Sequence, residues 1–136
     1  MSLKVLLLLS LFAVIEIPAI LPRVRLLTSF YGKPQNRFEL TYSFGSPRPD
    51  EILVHNRFSK RVDYNYPTNV VGFSKTIQDS RYIINRAEVI SIQSTVSGDA
   101  RITQGDIGQS FLHVVVNAYN TMHFQFNLKV YAVRAH

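Results

Sequence analysis

The chain has 136 residues, room for one ordinary domain. It has no cysteine, which excludes a disulfide framework, thiolate metal sites and a cysteine nucleophile. Fifteen Lys and Arg against nine Asp and Glu give a net charge of +6, with the positives dispersed rather than gathered into a binding arm. That balance fits a soluble protein with weak attraction to anionic surfaces, not a dedicated nucleic-acid site.

Residues 1–19, MSLKVLLLLSLFAVIEIPA, start with Lys4, continue as an apolar run from Val5 to Ile15, and close with Glu16, Pro18 and Ala19. This is the three-part pattern of a secretory signal peptide. The apolar run is too short for a membrane anchor, which needs about 20 residues. A mature chain starting near Ile20, with no transmembrane segment and an extracellular destination, is expected. Residues 20–50 read as an extension with one early strand, marked by alternating Phe38, Leu40 and Tyr42, and then a loop at 45–50, GSPRPD, where two prolines exclude both helix and central strand.

Residues 51–136 read as the main β domain. Strand signals fall at 52–58, 62–67 (ended by Pro67), 70–77 and 82–93. The last of these has some helical spacing, but Ile84, Val89, Ile90 and Ile92 are β-branched and favour a strand. The segments 110–119 and 122–133 complete the chain. In 122–133, Met122, Phe124, Phe126, Leu128, Val130 and Ala132 alternate with polar residues, which assigns one face to the core and the other, including His123, to water. With Asn120 suited to positive φ, the pair reads as an antiparallel hairpin turning at Asn117–Thr121. The whole predicts an all-β, single-domain antiparallel sandwich or barrel of about seven strands.

The Gly105-Asp106-Ile107-Gly108 stretch has the look of a phosphate loop or nucleic-acid clamp. Such loops need an adjoining helix, whereas Gly108 leads into the strand-like SFLHVVV. A turn between strands is the reading that remains. His113 and His123 would approach each other across the expected hairpin, but no third ligand completes a metal site. No Gly-x-Ser-x-Gly elbow is present. Acidic residues are few and scattered, so no pair stands out for glycoside chemistry. No catalytic, cofactor or metal residue is therefore nominated. The seven tyrosines and nine phenylalanines, some beside basic residues, fit packing better than base stacking. No Asn-x-Ser/Thr acceptor for an N-glycan occurs.

Gly98-Asp99-Ala100-Arg101-Ile102-Thr103, then Gln104-Gly105-Asp106-Ile107-Gly108, then Phe111–Val116, then Phe124-Gln125-Phe126-Asn127-Leu128-Lys129-Val130-Tyr131-Ala132 carry a family pattern. The chain resembles the insect proteins grouped under multiprotein bridging factor two, over about residues 30–132 and most closely over 83–132. Tyr31-Gly32-Lys33 and Ile83 to Ile90 fit the same plan more weakly. Asp106 stands where that family tends to have glycine, and Ala132 replaces its terminal glycine. The resemblance marks Gly98, Gly105, Gly108, Phe124, Phe126 and Tyr131 as structural positions. It implies two functions, a transcriptional co-activator bridging a DNA-bound activator to the basal machinery, and a small secreted or salivary peptide. The leader favours the second: a secreted, non-enzymatic β protein that binds a protein partner or anionic surface. The alternatives are the co-activator and a carrier of small hydrophobic ligands with a cavity enclosed by its strands.

Overall fold

The computed structural model describes residues 20–27 and 36–136. The leader at 1–19 and Tyr31-Gly32-Lys33 lie outside the described residues. Seven strands, all paired antiparallel, make up one sheet, and no helix occurs among the described residues. They are β1 (Arg23–Leu27), β2 (Arg37–Gly45), β3 (Ile52–Phe58), β4 (Val62–Lys75), β5 (Tyr82–Gln93), β6 (Gly98–Gly105) and β7 (Leu112–Arg134).

β7 organises the rest. Its first part, from Leu112 to Ala118, pairs with β6 on one side and with β4 on the other. Its second part pairs with β5 from Phe124 to Arg134, and with β3 from Asn127 to Ala132. β2 lies beyond β5, and β1 beyond β2. β3 and β4 thus run end to end along one side of β7, and β5 and β6 along the other.

This sheet cannot be flat. At about 3.4 Å per residue, the 23 residues of β7 would stretch over about 75 Å. Yet Lys75 lies opposite His113, Tyr82 lies opposite Arg134, and only residues 76–81 join them. That link reaches at most about 25 Å, so the two ends of β7 must come together. Hydrogen bonds show that they do. Ile84 N–H donates to Gln109 C=O (2.8 Å), and Gly108 N–H donates to Ile84 C=O (2.7 Å), tying β5 to the turn before β7.

The bend falls where both flanking ladders break. Asn120 has φ of +55°, the left-handed region expected of it from sequence. On one side, β4 shifts register twice between Asp63 and Val70, around Pro67. Proline cannot donate to a ladder, and here it occupies a bulge in a strand that pairs on one side only. On the other side, residues 94–97 separate β5 from β6. Their polar groups take over from the missing ladder. Thr121 Oγ1 accepts from Ser94 N–H (2.9 Å) and donates to His123 C=O (2.6 Å). Met122 N–H donates to Ser94 Oγ (2.8 Å), and Thr95 Oγ1 donates to Tyr119 C=O (2.6 Å). Asn69 Oδ1 accepts from Asn120 N–H (3.0 Å). A backbone group left unpaired away from water is costly, so these side chains stand in for the missing ladder across the bend.

The all-β, antiparallel, seven-strand expectation holds, but the sheet is open, with β1 and β3 at the ends of its main order. It is neither a closed barrel nor two separate sheets, because β7 passes through both halves. The expected hairpin of 110–119 with 122–133 is corrected to this single bent strand. One left-handed residue supplies a kink, whereas reversal needs a paired turn. The two strands read at 62–67 and 70–77 are likewise the single β4. β1 and β6 are strands that the sequence reading did not assign.

The core lies between the facing halves. Leu112, Val114, Val116 and Ala118 come from the first part of β7, and Phe124, Phe126, Leu128, Val130 and Ala132 from the second, all buried. Leu40, Tyr42 and Phe44 of β2 add the strand that alternation predicted. His123, assigned to water, is 1% exposed, because the kink turns it inward with Thr121.

Candidate functional site

The six motif residues hold architecture at four different places. A Cβ on Gly98 would meet the Asn117 carbonyl and would stand 2.9 Å from the Tyr42 hydroxyl, so the approach of β6 to β2 needs glycine there. Gly105 (φ +65°) and Gly108 (φ +94°) are the left-handed ends of the β6–β7 turn, with Asp106 between them. The Asp106 carboxylate accepts from Ile107 N–H at 2.7 Å, and Gln109 N–H donates to Asp106 C=O at 3.1 Å to close the turn. The turn reading of these glycines therefore stands. Phe124 and Phe126 are core rings with centroids 5.6 Å apart. Tyr131 lies beneath the Arg86 guanidinium, 3.7 Å from its ring centroid.

Arg86 is the hub of a charged cluster on adjoining strands. Its Nη2 binds Glu51 Oε1 at 2.6 Å and its Nη1 binds Glu88 Oε1 at 2.7 Å. Arg86 and Glu51 side chains are only 18% and 14% exposed. The hydrogen bonds from Arg86 hold the Glu51 carboxyl down at about 2. One guanidinium is shared between two carboxylates, and the cluster fastens the start of β3 to β5.

The histidines do not gather. His113 and His123 sit in different halves of one strand, not across a ladder as expected, because the hairpin does not exist. Burial, and secondarily Arg61, pushes the His123 pKa down. Burial also lowers His55, with Arg57 adding to the effect. Among the described residues no group of three potential ligands could hold a metal ion.

A groove of about 650 Å³ lies where the ends of β3 and β4 meet β6 and the start of β7. Phe58 and Phe73 stand at it, 64% and 72% exposed, with Val115 and Phe126 contributing further apolar surface. Arg57 and Lys75 add two cations, and among the described residues no carboxylate lines the groove. Strand pairing explains the assembly: Phe58 lies opposite Asn127 and Phe73 opposite Val115, in the two halves that the β7 bend folds together. Sequence reasoning placed Arg57-Phe58 among packing pairs and did not single out Phe73 or Lys75. Arg57 and Phe58 end β3 while Phe73 and Lys75 end β4, and these four become a site only once the sheet folds.

These features define an all-β chain built on one bent antiparallel sheet, with glycines at its turn and close approaches and an open cationic groove. The family model described as Transcription activator MBF2 matches residues 44–132, and the chain belongs to that family. The match runs from the end of β2 through Ala132 of β7, so it takes in the bend, the glycine turn and both halves of the core. No curated protein and no solved structure is significantly similar to the chain.

Proposed function

We propose that the protein is a non-enzymatic binding module that works outside the cell, meeting a protein partner or an anionic surface. The observation that carries this reading is the rim made by β3 and β4. Among the described residues each of these strands pairs only with β7, so each keeps one free edge. That rim exposes Leu53, Val54 and Phe58 of β3 and Val71 and Phe73 of β4. Free strand edges and grouped apolar side chains favour association by strand addition or apolar contact. Arg57 and Lys60 on the same rim would steer an acidic partner. The leader-like residues 1–19 support an extracellular destination.

A second reading comes from the family description, a transcription activator. It makes the same rim a contact for nuclear proteins. The two readings part on location. Carboxy-terminally tagged protein expressed in cultured insect cells is expected in the medium, starting near Ile20. Retention in nuclei with Met1 intact would reject the extracellular reading and favour co-activation. Affinity capture from extracellular fluid, with Leu53→Glu as the comparison, then tests the rim: the partner captured by the parent protein should be lost by the variant.

The carrier alternative assumed a cavity enclosed by the strands. The space between the sheet halves is occupied by core side chains, including Phe126 against Gly72 and Val116, which favours partner binding over an enclosed ligand.

A further inference from the structure

We infer that the groove between the ends of β3 and β4 binds a free long-chain carboxylate, a fatty acid. This goes beyond the partner-binding reading, because the occupant is a small molecule held in a recess that shares Arg57, Phe58 and Phe73 with the rim.

Size and wall come first. About 650 Å³ falls within the range of roughly 300–1,000 Å³ typical of small-molecule sites. The wall is largely apolar, and Phe58 and Phe73 keep most of their surface in water. Covering such rings with hydrocarbon is favourable at about 25 cal/mol per Å² of apolar surface removed from water.

Charge decides the head group. Arg25, Arg48, Arg61, Arg81 and Arg86 are each held by a carboxylate. Arg57 and Lys75, the two cations of the groove, have no ion pair among the described residues. A recess with apolar walls and two uncompensated cations suits a ligand with one anionic head and a hydrocarbon body. The planar fork of Arg57 matches a carboxylate in two-pronged fashion, and Lys75 supplies a second, point-like charge. A polyanion would meet the cations but leave the phenylalanines wet. A neutral hydrocarbon would cover the phenylalanines but draw nothing from the cations. Gln104 and Thr103, also at the groove, offer polar groups to the head.

The test is isothermal titration calorimetry on the purified full-length chain, with dodecanoate, dodecanol and phosphatidylserine vesicles as separate titrants. Dodecanoate is expected to bind with one molecule per chain and dodecanol far more weakly. Arg57→Gln and Lys75→Gln should each weaken dodecanoate about tenfold. Phe73→Ser should weaken it as well. Because Phe73 is mostly exposed, its variant should keep the parent's circular dichroism spectrum and melting point. Lys129→Gln, outside the groove, should bind as the parent does. Absence of dodecanoate binding, equal binding of dodecanol, or binding of vesicles without binding of free dodecanoate would each overturn the proposal. Partner capture through Leu53, which does not line this groove, is a separate measurement, so either reading can fail without the other.

Discussion

Gly72 of β4 faces the ring of Phe126 from the far half of β7: a Cβ on Gly72 would stand 2.8 Å from Phe126 Cε1 and 2.9 Å from a methyl of Val116. The two halves of the sheet touch here with nothing between ring and backbone. Gly72→Ala is expected to destabilise the protein by about 1–3 kcal/mol, the usual cost of overfilling a packed core. Alanine would otherwise be the better strand residue, so the sign itself is informative. Urea unfolding measures it, and combining the change with Phe126→Leu should recover part of the loss.

Thr121 holds the bend through a hydroxyl that accepts from Ser94 N–H and donates to His123 C=O. Thr121→Val keeps the shape and removes both bonds. It should cost about 1–3 kcal/mol, because buried backbone groups lose their partners. Asn120→Gly, at a position already in the left-handed region, should leave stability nearly unchanged, whereas Asn120→Val should lower it clearly. Chemical denaturation of the three variants separates the hydroxyl bonds from the backbone conformation.

Arg86→Lys preserves the charge and gives up the fork that reaches Glu51 and Glu88 together, along with the stacked cover over Tyr131. Loss of the ring contact alone is worth about 1 kcal/mol, so the melting temperature should fall in the lysine variant. Glu51 adds an acid-side dependence. Its carboxyl is held at about 2, below its ordinary 4.5. Its contribution is therefore complete above about 4.5 and drains away as pH falls toward 2.

His123 acts in a different pH window. Its folded pKa is lowered by burial, with Arg61 and Arg37 adding to the effect and a backbone hydrogen bond at Asn36 and the Asp63 charge opposing it. The unfolded chain, with histidine near 6.5, then binds the proton more readily than the folded one. Stability should be full above about 6.5 and decline as pH falls below it, by up to about 1.4 kcal/mol per pH unit for one such histidine. His55 shifts in the same direction and adds to the decline. His123→Gln should flatten the stability profile between pH 7 and 5, read by urea midpoints at each pH.

The β6–β7 turn discriminates between two glycines that look alike in sequence. Gly108 at φ +94° has open space where a Cβ would go, so alanine there bears only the backbone strain of about 1–2 kcal/mol. Gly105 at φ +65° would also drive a Cβ into the Phe111 carbonyl. Gly105→Ala should therefore be the more damaging of the two, with thermal unfolding as the measure.

Local chemistry was enough to read much of this chain. The alternation of Phe124, Phe126, Leu128, Val130 and Ala132 has one physical outcome, a strand with those residues inside, and each of them is buried. The β-branched content of 82–93, the prolines of 45–50 and the glycine pair at 105 and 108 acted in the same local way. The family membership was legible too, since its motif glycines answer to backbone demands that sequence displays directly.

What sequence alone could not decide was pairing. Asn120 advertises a left-handed backbone but does not say whether the chain reverses there or only kinks. The outcome depends on whether 112–118 pairs with 124–134 or with β4 and β6, which are distant in sequence. Choosing the kink sent His123 into the interior, set Gly72 against Phe126, and brought Arg57 and Phe58 to one groove with Phe73 and Lys75. Periodicity sets which face of a strand is apolar, through the two-residue repeat of the backbone. Which surfaces then meet is set by long-range hydrogen bonding and by the six-residue link at 76–81, too short to let β7 run straight.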